Sequence, residues 1–240
     1  MQETYPIMNK KRERVLIDTS SPFSKQEIKS MIIAVLLTTI IVLFPSLNII
    51  RALIALVTVL IIFPLTFFIK KKAGIDHSIQ IEHSFWKLSR FGFKIKAHTQ
   101  KPMPMGIILP LIITVISWGY LNPLTFFQLD AENMTARRLL KAKGYRRGLR
   151  KELINEADFA FTASYAMYAI LAYAIVMYIL TLFTNVSLFV DSAFYALAFG
   201  AWNLIPVSQL DGAKIFFGSF ITWVILVFLF IGMFILLPFF

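Results

Sequence analysis

The sequence predicts an all-α integral membrane protein of five to six membrane segments, on three observations. Hydrophobic residues make up 58% of the chain, Phe alone accounts for 24 positions, and the mean hydropathy is +0.73. A soluble domain of 240 residues has too little interior to hide that balance from water. Apolar runs fall at about 31–50, 52–69, 104–127, 157–183, 188–206 and 215–240, each close to the roughly 20 residues a helix needs to cross the hydrocarbon. Charge collects between the runs: of 24 Lys and Arg, 6 lie in 1–30, 8 in 70–103 and 8 in 128–156, leaving Arg51 and Lys214. Basic loops stay on the cytoplasmic side. Residues 1–30 therefore read as a cytoplasmic N-terminal segment, and 31–240 as one membrane domain whose basic 70–103 and 128–156 segments are also cytoplasmic.

The N-terminal segment is polar and mixed in charge. The first apolar run begins only near Met31, with no small-residue cleavage site after it, which speaks against a removable signal peptide. Runs 31–50 and 52–69 form a hairpin that returns the chain to the cytoplasm. There Lys70-Lys71-Lys72 opens a mixed amphipathic stretch. Ile75, Ile79, Phe85, Trp86 and Leu88 supply an apolar face, with Lys87, Arg90 and Lys94 nearby, as in an interfacial helix lying on anionic lipid. The net charge of +11 is thereby explained by topology, so the partner it implies is membrane lipid and not nucleic acid.

Run 104–127 creates a conflict, because a complete crossing would export the basic 128–156 segment. It carries Gly106, Pro110, Gly119 and Pro123, and residues 117–123 read SWGYLNP, a composition of bends and turns. The run is expected to be a re-entrant hairpin or broken helix that returns to the cytoplasmic side. Irregular backbone at such depth must pack on protein or water. The alternative is an ordinary sixth span with an exported loop. With the hairpin, 157–183 leaves the cytoplasm, 188–206 returns, and 215–240 runs outward.

Without cysteine the chain forms no disulfide, thiol nucleophile or Cys-ligated zinc site. Chemistry would have to rest on carboxylate, imidazole or hydroxyl groups. Of 13 acids only Asp158, Asp191 and Asp211 lie outside the three basic segments. Asp158 and Asp191 sit at span ends, where solvated or capping roles suffice. Asp211 closes NLIPVSQLDG, residues 203–212, between two apolar runs, and a carboxylate at membrane depth is costly unless it has a partner.

NLIPVSQLDG resembles the N-x-x-P-x-x-x-L-D-G box of the site-2 proteases, the intramembrane zinc metalloproteases. The order of segments over roughly residues 50–220 is similar to the compact prokaryotic, often archaeal, branch. The resemblance implies that Asp211 occupies the place of the third zinc ligand. It also implies that Asn203 and Pro206 shape unwound backbone where a substrate strand lies. It requires a helical H-E-x-x-H upstream, two His at i and i+4 with the general base between them, and the sequence contains none. The best register puts the second His at His83, so that Ile79 replaces the first His and Gln80 the Glu. An isoleucine cannot ligate a metal, and an amide cannot take a proton from zinc-bound water.

His77 cannot substitute unless the helix is broken between it and His83, since six residues turn about 240° around a helix. His77, His83 and His98 all lie outside the apolar runs and read as solvated imidazoles. The Gly-Pro-x-x-Asn box that many relatives carry near 157–167 is also lacking. Ala160, Ala163, Ser164 and Ala166 stand there instead and favour close helix packing.

The expected protein is thus a degenerate member with a site-2-protease-like core in a prokaryotic cell membrane. No catalytic residue, metal or cofactor is expected, and transmembrane segments of single-span client proteins are the expected partners. Asp211 would serve as a cap on the helix that follows. Two alternatives remain: an active zinc metalloprotease with an atypical ligand set that retains His83 and Asp211, and a transporter or channel using Asp158 or Asp191.

Overall fold

The computed structural model describes residues 23–44, 47–77, 79–90, 98–124, 126–133, 155–184 and 186–237. Most of 1–30 and of 128–156 lies outside them. The chain is mostly helical, but it is not all-α. Two two-stranded antiparallel sheets stand between its helices.

Helix α1 (Lys25–Leu43) starts on a capping box: Ser24 Oγ accepts from the Glu27 amide while the Glu27 carboxylate accepts from the Ser24 amide. A short turn leads to α2 (Ile49–Asp76), capped by the Asn48 carboxamide oxygen. Helix α2 runs on through Lys70-Lys71-Lys72, so the three lysines are its last turns and not the start of an interfacial helix. The interfacial helix itself is replaced by β1 (Ile79–Phe85), β2 (Leu88–Arg90) and β3 (His98–Met103). Burial along β1 alternates at Ile79, Ile81 and His83, a period of 2, whereas the helical reading had grouped its residues at 3.6.

Run 104–127 turns back on itself. Helix α3 (Met105–Ile116) reaches a tight turn where Trp118 and Gly119 take positive φ of 53° and 77°, and an extended return leads into β4 (Phe127–Asn133). The two ends meet at one residue. The Trp86 amide donates to the Phe126 carbonyl at 2.9 Å, and the Trp86 carbonyl accepts from the Gly106 amide at 2.9 Å. Gly106 is required there, because a Cβ would collide with the Phe126 carbonyl. Strand β4 then pairs antiparallel with β1, with His83 opposite Leu129.

The C-terminal half is helical: α4 (Glu156–Thr184), α5 (Ser187–Leu204), a short α6 (Asp211–Gly218) and α7 (Phe220–Leu236). The run expected as one span at 215–240 is broken at Ser219, whose backbone leaves the helical region (φ −157°, ψ 86°). Ala160, Ala163, Ser164 and Ala166 are all buried. Gly218 of α6 sits on the Glu156 carbonyl and the Ala160 side chain, where a Cβ has no room, so small residues do set the helix spacing. Phe63 and Phe67 of α2 pack edge-on against Phe127 of β4 at the centre.

Among the described residues, α1, α2 and α4 are long and apolar enough to cross a membrane, while α3 and α7 are shorter apolar helices. Large apolar side chains face outward along them, including Leu36, Val57, Leu60 and Val176. That distribution is compatible with a membrane protein, since lipid and not water then covers the exposed faces.

Candidate functional site

The site is assembled where α1, α2, β1 and α6 converge, and its chemistry lies in two buried carboxylates. The first, Glu27, is fully buried in the first turn of α1. It gathers four donors. Oε1 accepts from the His83 amide at 3.0 Å and from His83 Nδ1 at 3.1 Å. Oε2 accepts from the Ser24 amide at 2.8 Å and from Lys71 Nζ at 2.5 Å. The second carboxylate is Asp211, the first residue of α6. Its Oδ2 pairs with Lys70 Nζ at 2.5 Å, with side chains 7% and 6% exposed. One helical step separates Lys70 from Lys71, which is how α2 delivers one ammonium to each carboxylate.

Several expectations need correcting. Asp211 does not cap α6. Leu210 holds the cap position, no side chain there bonds the first turn, and the carboxylate turns instead to the stronger donor on α2. His83 is not a solvated imidazole. Its ring is inaccessible to solvent, stacked on Phe67 with centroids 3.8 Å apart and planes 9° from parallel. Ile79 and Gln80 lie on a strand, so no helical H-E-x-x-H can be threaded through them. In β1 they face opposite sides, Ile79 buried and Gln80 half-buried opposite Glu132.

His77 ends α2, with Nδ1 3.5 Å from the Asp158 carboxylate and its ring stacked on Phe161. It is remote in kind from the cluster around His83. His98 opens β3 opposite Arg90.

A carboxylate only accepts, so the neutral His83 ring carries its proton on Nδ1 and presents Nε2 as a bare acceptor. That nitrogen is buried and has no hydrogen-bond partner among the described residues. Burial pushes the His83 imidazole down to about 4, with the bond to Glu27 opposing the shift and the Lys70 charge adding to it. Lys214, one turn after Asp211, donates to the Leu129 carbonyl of β4 and lies over the Phe159 ring, 5.3 Å from its centroid. Burial pushes its ammonium down to about 8.

The remaining box residues are placed as linkers. Asn203 is buried at the end of α5, its amide donating to the Phe199 carbonyl at 2.7 Å and to the Leu124 carbonyl at 3.2 Å. Pro206 lies in the non-helical stretch 205–210, exposed over 205–209. In that stretch Ser208 takes a positive φ of 52° and its hydroxyl accepts from the Trp86 indole at 3.1 Å. Gly212 packs directly on the Leu204 carbonyl, closing the stretch with no room for a side chain.

Beside it a cleft of about 260 Å³ is lined by Phe159, Ser208, Gln209, Lys214 and Phe217 among others.

Zinc sites usually take three protein ligands, and among the described residues no group of three His, Asp or Glu is arranged for a metal. Asp211 is committed to an ammonium, and one edge of His83 to a carboxylate. Glu27 went unnoticed in the sequence, and Lys70 and Lys71 were read only as basic residues of a cytoplasmic segment. Two signals mark them: Ser24-x-x-Glu27 ahead of an apolar run is a capping-box pattern, and Phe63, Phe67, Lys70 and Gly74 recur at helical spacing on one buried face. No family model matches the chain, and no curated protein or solved structure is similar to it.

Proposed function

We propose that this chain is a site-2-protease-like polytopic membrane protein without proteolytic activity, which binds transmembrane segments of single-span client proteins. The observation that carries the reading is the Lys70–Asp211 pair. The aspartate of an otherwise intact box is neutralised by an ammonium at 2.5 Å, so its charge serves packing and not hydrolysis. The parts that would hold a client are present beside it. Stretch 205–209 is exposed and unwound, with Ile205 and Val207 outward, and the adjacent cleft is part apolar.

In this reading the chain has five to six membrane segments. Segment 104–127 is re-entrant, the two basic segments and the N-terminus are cytoplasmic, and the membrane is that of a prokaryotic cell. The test is site-specific photo-crosslinking to a single-span reporter protein in proteoliposomes, with the crosslinker at Val207 and, as a lipid-facing control, at Ile61. The expected result is a crosslink at Val207 well above the control, with the reporter intact in zinc-supplemented buffer. Cleavage of the reporter that disappears in Asp211→Asn would overturn the noncatalytic reading. Equal crosslinking at the two positions would overturn client binding at the box.

A further inference from the structure

Three lengths on one side of the molecule agree with each other and not with the thickness of a bilayer. Helix α3 covers 12 residues, about 18 Å at the helical rise. The returning limb has six residue steps from Tyr120 to Phe126, which reach about 20 Å at most. Both limbs end at Trp86, through Gly106 and Phe126, beside the exposed Lys87. The turn at Trp118 is therefore tethered within about 20 Å of a charged surface, whereas the hydrocarbon of a bilayer is about 30 Å thick. The third length is in α1. Lys29 is its last exposed charge, and the uncharged turns 30–43 that follow rise about 21 Å. Phe44, at their end, meets Trp118 edge-on with ring centroids 6.0 Å apart, so α1 and the hairpin finish at one level.

That level carries the residues of a membrane–water boundary. Trp118 is 68% exposed and Tyr120 89%, the two residue types that gather at headgroup depth, and Asn48 and Arg51 stand at the nearby start of α2. Between the two boundaries Ile32, Leu36, Ile40, Ile112 and Val115 point outward. Helices α2 and α4, by contrast, have 28 and 29 residues, roughly 42–44 Å of helix. We infer that α1 and the 104–127 hairpin form a lipid-binding face matched to a hydrocarbon layer of about 20 Å, so that the membrane is thinned along this side and not along α4. The partner is lipid with short acyl chains. A bilayer of ordinary depth would leave the indole and phenol of the tip under a layer of hydrocarbon, and drawing the headgroups down relieves this. The inference rests on the membrane-embedded, re-entrant reading of 104–127 proposed above, and not on client binding.

Two measurements on the full chain in vesicles test it. The chain has no cysteine, so Tyr120→Cys is labelled at one place. A membrane-impermeant maleimide should reach it in dioleoylphosphatidylcholine vesicles, and more slowly as the acyl chains lengthen to dierucoyl. Secondly, the dibrominated derivatives of dimyristoleoyl, dioleoyl and dierucoyl phosphatidylcholine are mixed in turn with plain dioleoyl lipid. Quenching of Trp118 is taken as the wild-type signal less that of Trp118→Phe. The shortest lipid should bind beside Trp118 about fivefold more tightly than the longest, and a tryptophan placed on α4, Val176→Trp in the Trp118→Phe chain, should show no such preference. If Trp118→Phe does not fold, the labelling series decides. Equal or reversed preference at Trp118, the same preference at Val176→Trp, or a Tyr120→Cys thiol that reacts only in detergent would overturn the inference. Cysteines at Lys87 and Asp130 labelled from opposite sides would strike the re-entrant topology itself, whereas same-side labelling with Tyr120→Cys shielded would strike the thinning alone.

Discussion

Breaking the Lys70–Asp211 pair from one side should cost far more than removing it from both. At 2.5 Å and an effective dielectric near 20, the Coulomb attraction is roughly 6–7 kcal/mol. Most of that is offset by stripping water from two ions that are each more than nine-tenths buried. The net worth of the pair is therefore small, but the cost of orphaning one member is not. Lys70→Met leaves a buried carboxylate, and Asp211→Leu leaves a buried ammonium, each at about 3–5 kcal/mol. The double variant leaves neither and should unfold within about 1 kcal/mol of wild type, so the coupling energy should reach several kcal/mol. Equilibrium unfolding in mixed SDS micelles, followed by tryptophan fluorescence, measures all four species. Two single variants that each cost under about 0.5 kcal/mol and simply add in the double would refute the reasoning, because they would describe a solvated pair of the surface kind. Asp211→Asn belongs to the same scale. A capping aspartate would lose little on amidation, whereas here it should lose a large part of the orphaning cost.

Three further outcomes follow from the same cluster and its surroundings. His83 has a folded-state value of about 4 against 6.5 unfolded. The unfolded chain thus binds the extra proton between those values, and stability should fall as pH drops from about 6.5 to 4, by about 3 kcal/mol in total; a pH series of unfolding on wild type and His83→Gln checks it, with the slope flattened in the variant. Because β1 pairs with β4, single cysteines at Lys87 and Asp130 should be labelled by an impermeant maleimide from one and the same side, the cytoplasmic one, and labelling from opposite sides would break the topology proposed above. Gly106→Ala drives a Cβ into the Phe126 carbonyl and should cost about 1–3 kcal/mol as overpacking of a backbone contact, read as a lower melting temperature.

Membrane character was legible from composition and run length, because covering a chain in lipid demands apolar residues wherever a helix crosses. The return of 104–127 was legible too, since Gly119 and Pro123 stand where the chain leaves α3 and turns at Trp118 and Gly119, whereas Gly106 and Pro110 are accommodated inside that helix. The strands were not. Alternation over Ile79, Ile81 and His83 is three buried positions long, and isoleucines and lysines elsewhere in 70–103 fit a helical wheel equally well. The cluster was hidden for a different reason. Lys70, Lys71 and Lys72 are indistinguishable as a topology signal, and only the 100° step of α2 gives them different fates: Lys70 inward to Asp211, Lys71 to Glu27, Lys72 exposed. Asp211 was recognisable as an outlier because a buried acid needs a partner, but its partner stands 141 residues away, a pairing no local pattern encodes.

The box asparagine can be argued in the same terms, and its chemistry separates a structural role from a binding one. Asn203 offers two donors and one acceptor, and both contacts in the structure are carbonyls: Phe199, one turn back on α5, and Leu124, on the chain returning from α3. The amide nitrogen must face them, because a carbonyl has nothing to give. Asn203 is thereby the tie between α5 and the returning limb of 104–127, and through Phe126 and Trp86 between that limb and the Ser208 hydroxyl of the unwound stretch. Asn203→Asp keeps shape and acceptor but removes both donors and sets a negative charge against two carbonyls, so it should destabilise more than Asn203→Ala. The alanine change only leaves those carbonyls unbonded, at about 1–3 kcal/mol. Accessibility of a cysteine placed at Leu121 should rise in both variants as the limb loosens, and more in the aspartate one. Were the asparagine present chiefly to accept from the backbone of a bound client, the order would reverse: Asn203→Asp would be the milder change in unfolding experiments and would retain crosslinking at Val207, and that pair of results would remove the tie from the account of this site.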